Sequence, residues 1–287
     1  MESIARMVQN VDSLTSSTLK HLRERWWDES FTTFLKDTLR PRSGRRILDV
    51  GCGTGTAEVQ LSRLRLTQVD IAAVDLHLER VAQALQAARA HNMRAGFAVA
   101  DACALPFPNA TFDSAFCVAV LQHITDAPSA VREMARVTRP GGRVVAVEPD
   151  NSARYFYSSS QEGVEAHETA GRLFAAIAEA RGEAGVPGIG PRLATLFAQT
   201  GIEPLGVHLF PVSRAQLGTP PPEVWEDRRQ AVRDAIEKAP DESIRRLAQD
   251  YLKLIDRYAD AAQQAGQAFV EIQNTMLFAT VGQRAEE

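Results

Sequence analysis

The sequence predicts an α/β fold, a mostly parallel sheet with helices on both faces. Three observations carry that expectation. Short apolar, β-branched runs alternate with stretches of helical period between residues 46 and 147. A glycine-rich turn follows directly on the first such run, where a strand hands over to a helix. Apolar types make up 45% of the 287 residues against 24% charged, enough for a sizeable core and too apolar for a disordered chain.

The elements are expected in the following order. Residues 1–43 read as helical and end at the Pro41-Arg-Ser-Gly44 breaker. Arg46–Val50 is a strand, and a helix starts after the glycine turn. Ile71–Val74 is a strand and Glu79–His91 a helix. Phe97–Ala100 and Phe112–Val120 are strands, and Pro128–Val137 is a helix. Pro140-Gly-Gly142 forms a turn before the strand Arg143–Val147. Beyond Asp150 the rhythm changes. Glu162–Arg181 and Pro191–Thr200 are helical, the second closed by Gly201. Val207–Val212 suits a strand, Glu223–Gln264 is charged and helical, and Phe269–Val281 is a last long strand.

Composition excludes several function classes. The 32 Lys+Arg and 36 Asp+Glu leave a formal charge of −4, so no nucleic-acid footprint is expected. No apolar run approaches the roughly 18 residues of a membrane span. The start, MESIARMVQNVDSL, has neither an apolar h-region nor a small-residue cleavage site, so no secretory signal is expected. Cys52, Cys103 and Cys117 lack CxxC or Cys/His spacing, which predicts neither a disulfide framework nor a metal site. Together these point to a soluble, cytoplasmic protein.

The sharpest chemical signal is Arg46-Ile-Leu-Asp-Val-Gly-Cys-Gly-Thr-Gly-Thr56. Glycines let a ligand approach the backbone where a Cβ would collide, and the helix start adds N–H donors. A dinucleotide loop needs Gly-x-Gly-x-x-Gly, but here the third glycine comes one place early and Thr56 takes its slot. Asp49, two places before the first glycine, would repel a pyrophosphate yet could meet an amino-acid ammonium. A ligand with a ribose, a cationic amino-acid tail and no phosphate therefore fits better than a dinucleotide. About 20 residues past the turn, Asp75 in Val74-Asp75-Leu76 sits where a carboxylate can accept both ribose hydroxyls. Nicotinamide-binding folds share that feature, so alone it does not discriminate.

Leu48-Asp-Val-Gly-Cys-Gly-Thr-Gly55 closely resembles the first motif of class I S-adenosylmethionine-dependent methyltransferases, and the likeness covers about residues 45–150. The resemblance implies a Rossmann-like seven-stranded, mostly parallel sheet whose last strand is antiparallel, with a helical lid from the N-terminus and late insertions. The organisation expected along the chain is a lid segment at 1–43, a core at 44–213 with a helical insertion near 151–185, a helical lid at 214–264, and the last strand and tail at 265–287. The resemblance also implies S-adenosyl-L-methionine as cofactor and S-adenosyl-L-homocysteine as product, held by Asp49, Gly51, Cys52, Gly53, Gly55, Asp75 and Leu76.

Further segments extend the resemblance. Asp101-Ala-Cys-Ala-Leu-Pro-Phe107 resembles the segment after strand three, which assigns adenine contacts to Asp101 and Ala102. The strand from Phe112 resembles the fourth, whose end faces the methionine part, here Cys117 and Val118. Leu121-Gln-His-Ile124 resembles the small-molecule branch and places Gln122 and His123 near the sulfonium and the substrate mouth. His123 could be a general base or an ordinary structural histidine. The turn 136–142 resembles the family's structural turn before strand five.

Methyl transfer from a sulfonium needs alignment and exclusion of water more than it needs functional groups. No metal-ligand cluster is expected. Aromatic side chains outside the core sheet offer walls for an acceptor: Trp27 near the N-terminus, Tyr155 and Tyr157 after strand five, and Trp225 and Tyr258 in the late helices. Tyr157 is also a candidate proton donor or acceptor, while the plainer reading has most of these aromatics packing the lid. The sequence thus predicts methylation of O, N or C of a small molecule. RNA or protein methylation and a non-catalytic cofactor-binding regulator are alternatives. The acceptor and the oligomeric state, a homodimer included, stay open.

Overall fold

The computed structural model describes residues 26–63, 69–180, 188–237, 239 and 241–286. The helical expectation for residues 1–25 lies outside them. The chain divides into two compact units. A sheet unit takes in Glu24–Ser152, Gly185–Phe210 and Met276–Glu287, and a helical unit takes in Ala153–Ala184 and Pro211–Thr275.

The sheet unit opens with α1 (Glu29–Leu39) and β1 (Arg46–Val50), followed by α2 (Thr56–Arg63), β2 (Asp70–Asp75), α3 (Leu78–Ala90) and β3 (Ala95–Val99). It continues through β4 (Phe112–Val118), α4 (Ala127–Val137), β5 (Thr138–Pro149) and α6 (Leu193–Gln199). The helical unit carries β6 (Tyr155–Ser158), α5 (Gln161–Ala180), α7 (Pro222–Glu237) and α8 (Glu242–Ala265). Two long strands, β7 (Ile202–Leu217) and β8 (Val270–Arg284), pass from one unit to the other.

The strand order is β3-β2-β1-β4-β5-β8-β6, with β7 also paired to β8. β1 pairs parallel with β2 and β4, β2 with β3, and β4 with β5, whereas β5 and β8 run antiparallel. The antiparallel last strand is as expected, but among the described residues the sheet has eight strands, not seven. The addition is β6, which pairs antiparallel with β8 from Tyr155↔Asn274 to Ser158↔Glu271. Four residues are too few for alternation to announce a strand, and pairing with β8 makes it one.

Because the first five strands are parallel, the turns that leave them gather at one edge, where open α/β sheets bind ligands. Ile47, Leu48 and Val50 are buried, as suits a central strand covered on both faces. Asp126 starts α4 by accepting from Ser129 N at 3.0 Å, and Ala130, Val131, Met134 and Val137 turn its apolar face into the core. Pro140-Gly-Gly142, expected as a turn before the strand, lies within β5. Partners step from Phe112↔Thr138 to Ser114↔Arg143, so extra residues bulge there, with Gly141 at φ +70°.

In the helical unit, α5, α7 and α8 enclose Leu173, Ile177, Trp225, Val232, Ile255 and Tyr258. The charged stretch 223–264 is two helices, since Asp241 begins α8 by accepting from Ile244 N at 2.9 Å. Trp225 and Tyr258, offered above as pocket walls, are 5% and 1% exposed and pack this core edge to face.

Candidate cofactor site

The turn after β1 is folded over the end of β2, with Gly51 N and Cys52 N both donating to Val74 O at 2.7 and 2.9 Å. Gly51, Gly53 and Gly55 all have positive φ, +79°, +55° and +85°. Their surroundings differ. A Cβ on Gly51 would lie 2.4 Å from Val120 Cγ2, and one on Gly55 3.1 Å from Ala84 Cα. Around Gly53 there is no atom within 4 Å of that position. The outer glycines therefore permit close packing of the protein on itself, while the middle one presents bare backbone to open space.

Asp75 fixes that middle glycine. Its Oδ2 accepts from Gly53 N at 2.9 Å and its Oδ1 from His77 N at 3.0 Å, and the residue is buried. Each carboxylate oxygen has two lone-pair directions, so acceptor capacity remains. Leu76 beside it is 55% exposed, an apolar surface at the same strand end. Beneath the turn lie two further buried acids, Asp49 on β1 and Glu58 on α2. Burial, then the neighbouring Glu58 and Asp75, push the Asp49 carboxyl well above the usual range. The Cys52 thiol is pushed up by burial and by the same three acids, and burial does the same to Cys117. Neither thiol is therefore a ready nucleophile.

Two neighbouring turns complete the edge. Asp101 is exposed, and its Oδ1 accepts from Cys103 N at 2.8 Å. The following loop is clamped by α4, where Glu133 accepts from Leu105 N at 2.7 Å and Arg136 donates to Leu105 O and Phe107 O. Past β4, Ala119 adopts φ +58°, a strained setting for a residue with a Cβ. Glu148 at the end of β5 is fully buried and gathers this turn, accepting from Val120 N and Leu121 N at 2.8 and 2.7 Å and from Gln122 N at 3.4 Å. The Gln122 side chain in turn accepts from Asn151 Nδ2 at 2.6 Å. His123 ends this turn and is exposed.

Residues 48–146 match the family described as a methyltransferase domain. That stretch carries a methyltransferase domain. An O-methyltransferase of Pyrenophora dematioidea is 35% identical over 116 residues, 40% of this chain and 43% of its own. The 27-O-demethylrifamycin SV methyltransferase of Amycolatopsis mediterranei is 33% identical over 146 residues, 47% of this chain and 52% of its own. The chain thus spans about half the length of the curated relatives it matches. Among solved structures, the [4+2]-cyclase SpnF shares the fold at TM-score 0.52 and 19% identity, over 90% of this chain and 82% of that one.

The matched methyltransferase domain holds most of the residues singled out in the sequence: Asp49, Gly51, Cys52, Gly53, Gly55, Asp75, Leu76, Asp101, Ala102, Cys117, Val118, Gln122 and His123. Three others stand apart. Trp27 is half-buried, and its ring meets Phe31 edge-on at 5.0 Å. Tyr155 and Tyr157 belong to the helical unit, where they are 57% and 46% exposed on β6. Sequence reasoning missed Glu58 and Glu148. A glutamate ending an apolar strand, just before Pro149, is a weak signal that could have pointed to Glu148. For Glu58 there was none, because an acid in a first helical turn ordinarily faces water and complements the helix dipole.

Proposed function

We propose that this chain is an S-adenosyl-L-methionine-dependent methyltransferase acting on a small molecule, with S-adenosyl-L-homocysteine as product. One observation carries the reading: Gly53 turns bare backbone to open space while Asp75, bonded to its N–H, keeps acceptor capacity at the same spot. Fold alone would not suffice, since one scaffold hosts many chemistries. The bound cofactor would supply a methyl on a positively charged sulfur, a good leaving group. Asp49, Gly51, Cys52, Gly53 and Gly55 form its cradle. Asp75 and Leu76 take the ribose side, Asp101 and Ala102 the adenine, Cys117 and Val118 the amino-acid part, and Gln122 lies near the sulfonium.

The relative named as an O-methyltransferase favours a hydroxyl acceptor. His123, exposed on a turn that Glu148 anchors, is then the candidate base, with Trp27, Tyr155 and Tyr157 as candidate acceptor contacts. Among the described residues no helix is long and apolar enough to cross a membrane, and we place the enzyme in the cytoplasm.

The test is calorimetric titration with S-adenosyl-L-homocysteine against NAD, followed by a methyl-transfer screen with small molecules and RNA in parallel. Asp75→Ala should weaken nucleoside binding by about 1.5–3 kcal/mol through lost charge-assisted hydrogen bonds. Gly53→Val should abolish binding, and at φ +55° it should also cost some stability, which urea unfolding reads separately. Preferential binding of NAD, or a folded Gly53→Val variant of unchanged affinity, would overturn the proposal.

A further inference from the structure

Glu58 has no part in the cofactor cradle as described, yet its setting is the most unusual in the sheet unit. The residue is 0% exposed, and among the described residues neither carboxyl oxygen makes a well-formed hydrogen bond. Only its own backbone N–H and the carboxyl of Asp49, itself 2% exposed, act on it at hydrogen-bonding range. Two carboxylates cannot bond to each other without a proton, and two negative charges this close and this deep would be prohibitively costly.

The groups that face the pair deepen the problem. They are Asp75 at the end of β2, Cys52 in the glycine turn and Cys117 on β4, which also feels Glu148 of β5. All are acids or thiols. No three His, Cys, Asp or Glu side chains among the described residues converge as metal ligands do. What the cluster lacks is a cation that arrives with a ligand. Gly53 leaves open space above the turn, and Asp49 precedes that turn by two residues.

We propose that Glu58 and Asp49 hold one proton between them, and that docking of the cofactor's amino-acid ammonium drives that proton into solvent. The inference rests on the cofactor reading above and deepens it. No covalent bond changes: the pair goes from one negative charge to two, and the ammonium balances the second. Glu58 is a positioning residue acting through Asp49. Its consequence is a pH gate confined to nucleosides that carry the amino-acid tail. Because binding expels a proton, affinity rises with pH by up to about tenfold per unit while the free pair stays protonated. Above the pair's apparent pKa it levels off.

The experiment is calorimetry on the full chain between about pH 6 and 8, in buffers of contrasting ionisation enthalpy. The probes are S-adenosyl-L-homocysteine and 5′-methylthioadenosine, which lacks the tail. The wild type should release up to one proton with the first and none with the second, and only the first should bind more tightly as pH rises. Glu58→Gln should bind the first probe with no proton release and a flat pH profile, a change that a merely structural glutamate would not produce. Carboxyl NMR of the wild type supplies a second measurement, in which two mutually coupled titrations should disappear on saturation with S-adenosyl-L-homocysteine. Binding without proton release, equal release with both probes, or unaltered release in Glu58→Gln overturns the proposal while leaving the cofactor reading intact. Failure of both nucleosides to bind at any pH overturns both.

Discussion

Two glutamates of equal burial have been treated in opposite ways by the two units. Glu271, on the part of β8 in the helical unit, is 2% exposed and fully partnered. Arg228 donates to both its oxygens at 2.7–3.1 Å, Tyr258 Oη donates at 2.6 Å and Gln273 Nε2 at 3.0 Å. Arg228 also lies 4.8 Å over the ring of Trp225. Burial alone would raise the Glu271 carboxyl, but the Arg228 charge and these bonds outweigh it and hold the group below the usual range. Glu58 in the sheet unit has the same burial and none of these partners. A buried acid whose bonds close within its own unit fixes structure, whereas one left open is poised for something that comes and goes.

The largest expected effect breaks the closed case. Arg228→Met strands a buried carboxylate and should destabilise the chain by about 3–5 kcal/mol in urea unfolding. Adding Glu271→Met should recover most of that loss, because the strand would then bury two apolar side chains in place of one unpaired charge. If Arg228→Met unfolds at the wild-type urea concentration, the two glutamates are not different in kind.

The second effect sharpens the open case, and its sign is reversed. Glu58→Gln replaces a buried acid that no cation balances, and should leave stability at neutral pH unchanged or raise it by about 1–3 kcal/mol. The pH dependence follows from the shifts. Asp49 and Glu58 have folded values above their unfolded ones near 4, so the folded state binds more protons across that window. Their stabilisation is complete below the unfolded values and is lost as pH rises toward the raised ones. Glu271 is lowered, so its stabilisation is present above the unfolded value and is lost as pH falls through the folded one. Unfolding at a series of pH values should therefore show Glu58→Gln flattening the neutral side of the curve and Glu271→Gln flattening the acid side. Both variants flattening the same side would refute the contrast.

The same contrast explains what could be read in advance. The parallel strands announced themselves as short apolar runs, and the glycine turn with Asp49 and Asp75 was legible because type and spacing together demand a backbone approached by a ligand. The N-terminal extent of β7 was hidden by Pro204, which an edge strand paired to β8 tolerates. β6 was hidden by its length. Glu58 was hidden because only the packing of α2, which turns Ala57, Glu58 and Leu61 inward, decides that an acid in its first turn meets β1 instead of water. Glu148 was hidden likewise, since its work is done on the backbone of a turn some 26–28 residues earlier in the chain. Side-chain identity can be read in sequence, while the partner that gives it meaning is set by tertiary structure.

The smallest effect tests whether the Glu271 cluster is governed by charge or by hydrogen-bond number. Ser158 Oγ lies 3.1 Å from Tyr258 Oη and accepts from Ser160 N at 3.2 Å. With the Tyr258 proton committed to Glu271, Ser158 is the donor in that bond, and both members are neutral. Ser158→Ala should therefore cost only about 1 kcal/mol. Tyr258→Phe, which removes a bond to the carboxylate itself, should cost about 1.5–3 kcal/mol. The ordering Arg228→Met, Tyr258→Phe, Ser158→Ala in urea midpoints is what a charge-centred cluster requires. A Ser158→Ala loss as large as that of Arg228→Met would mean that close packing at Ser158, where a Cβ on Gly163 would come within 2.6 Å of the serine Cβ, governs this region instead of the buried ion pair.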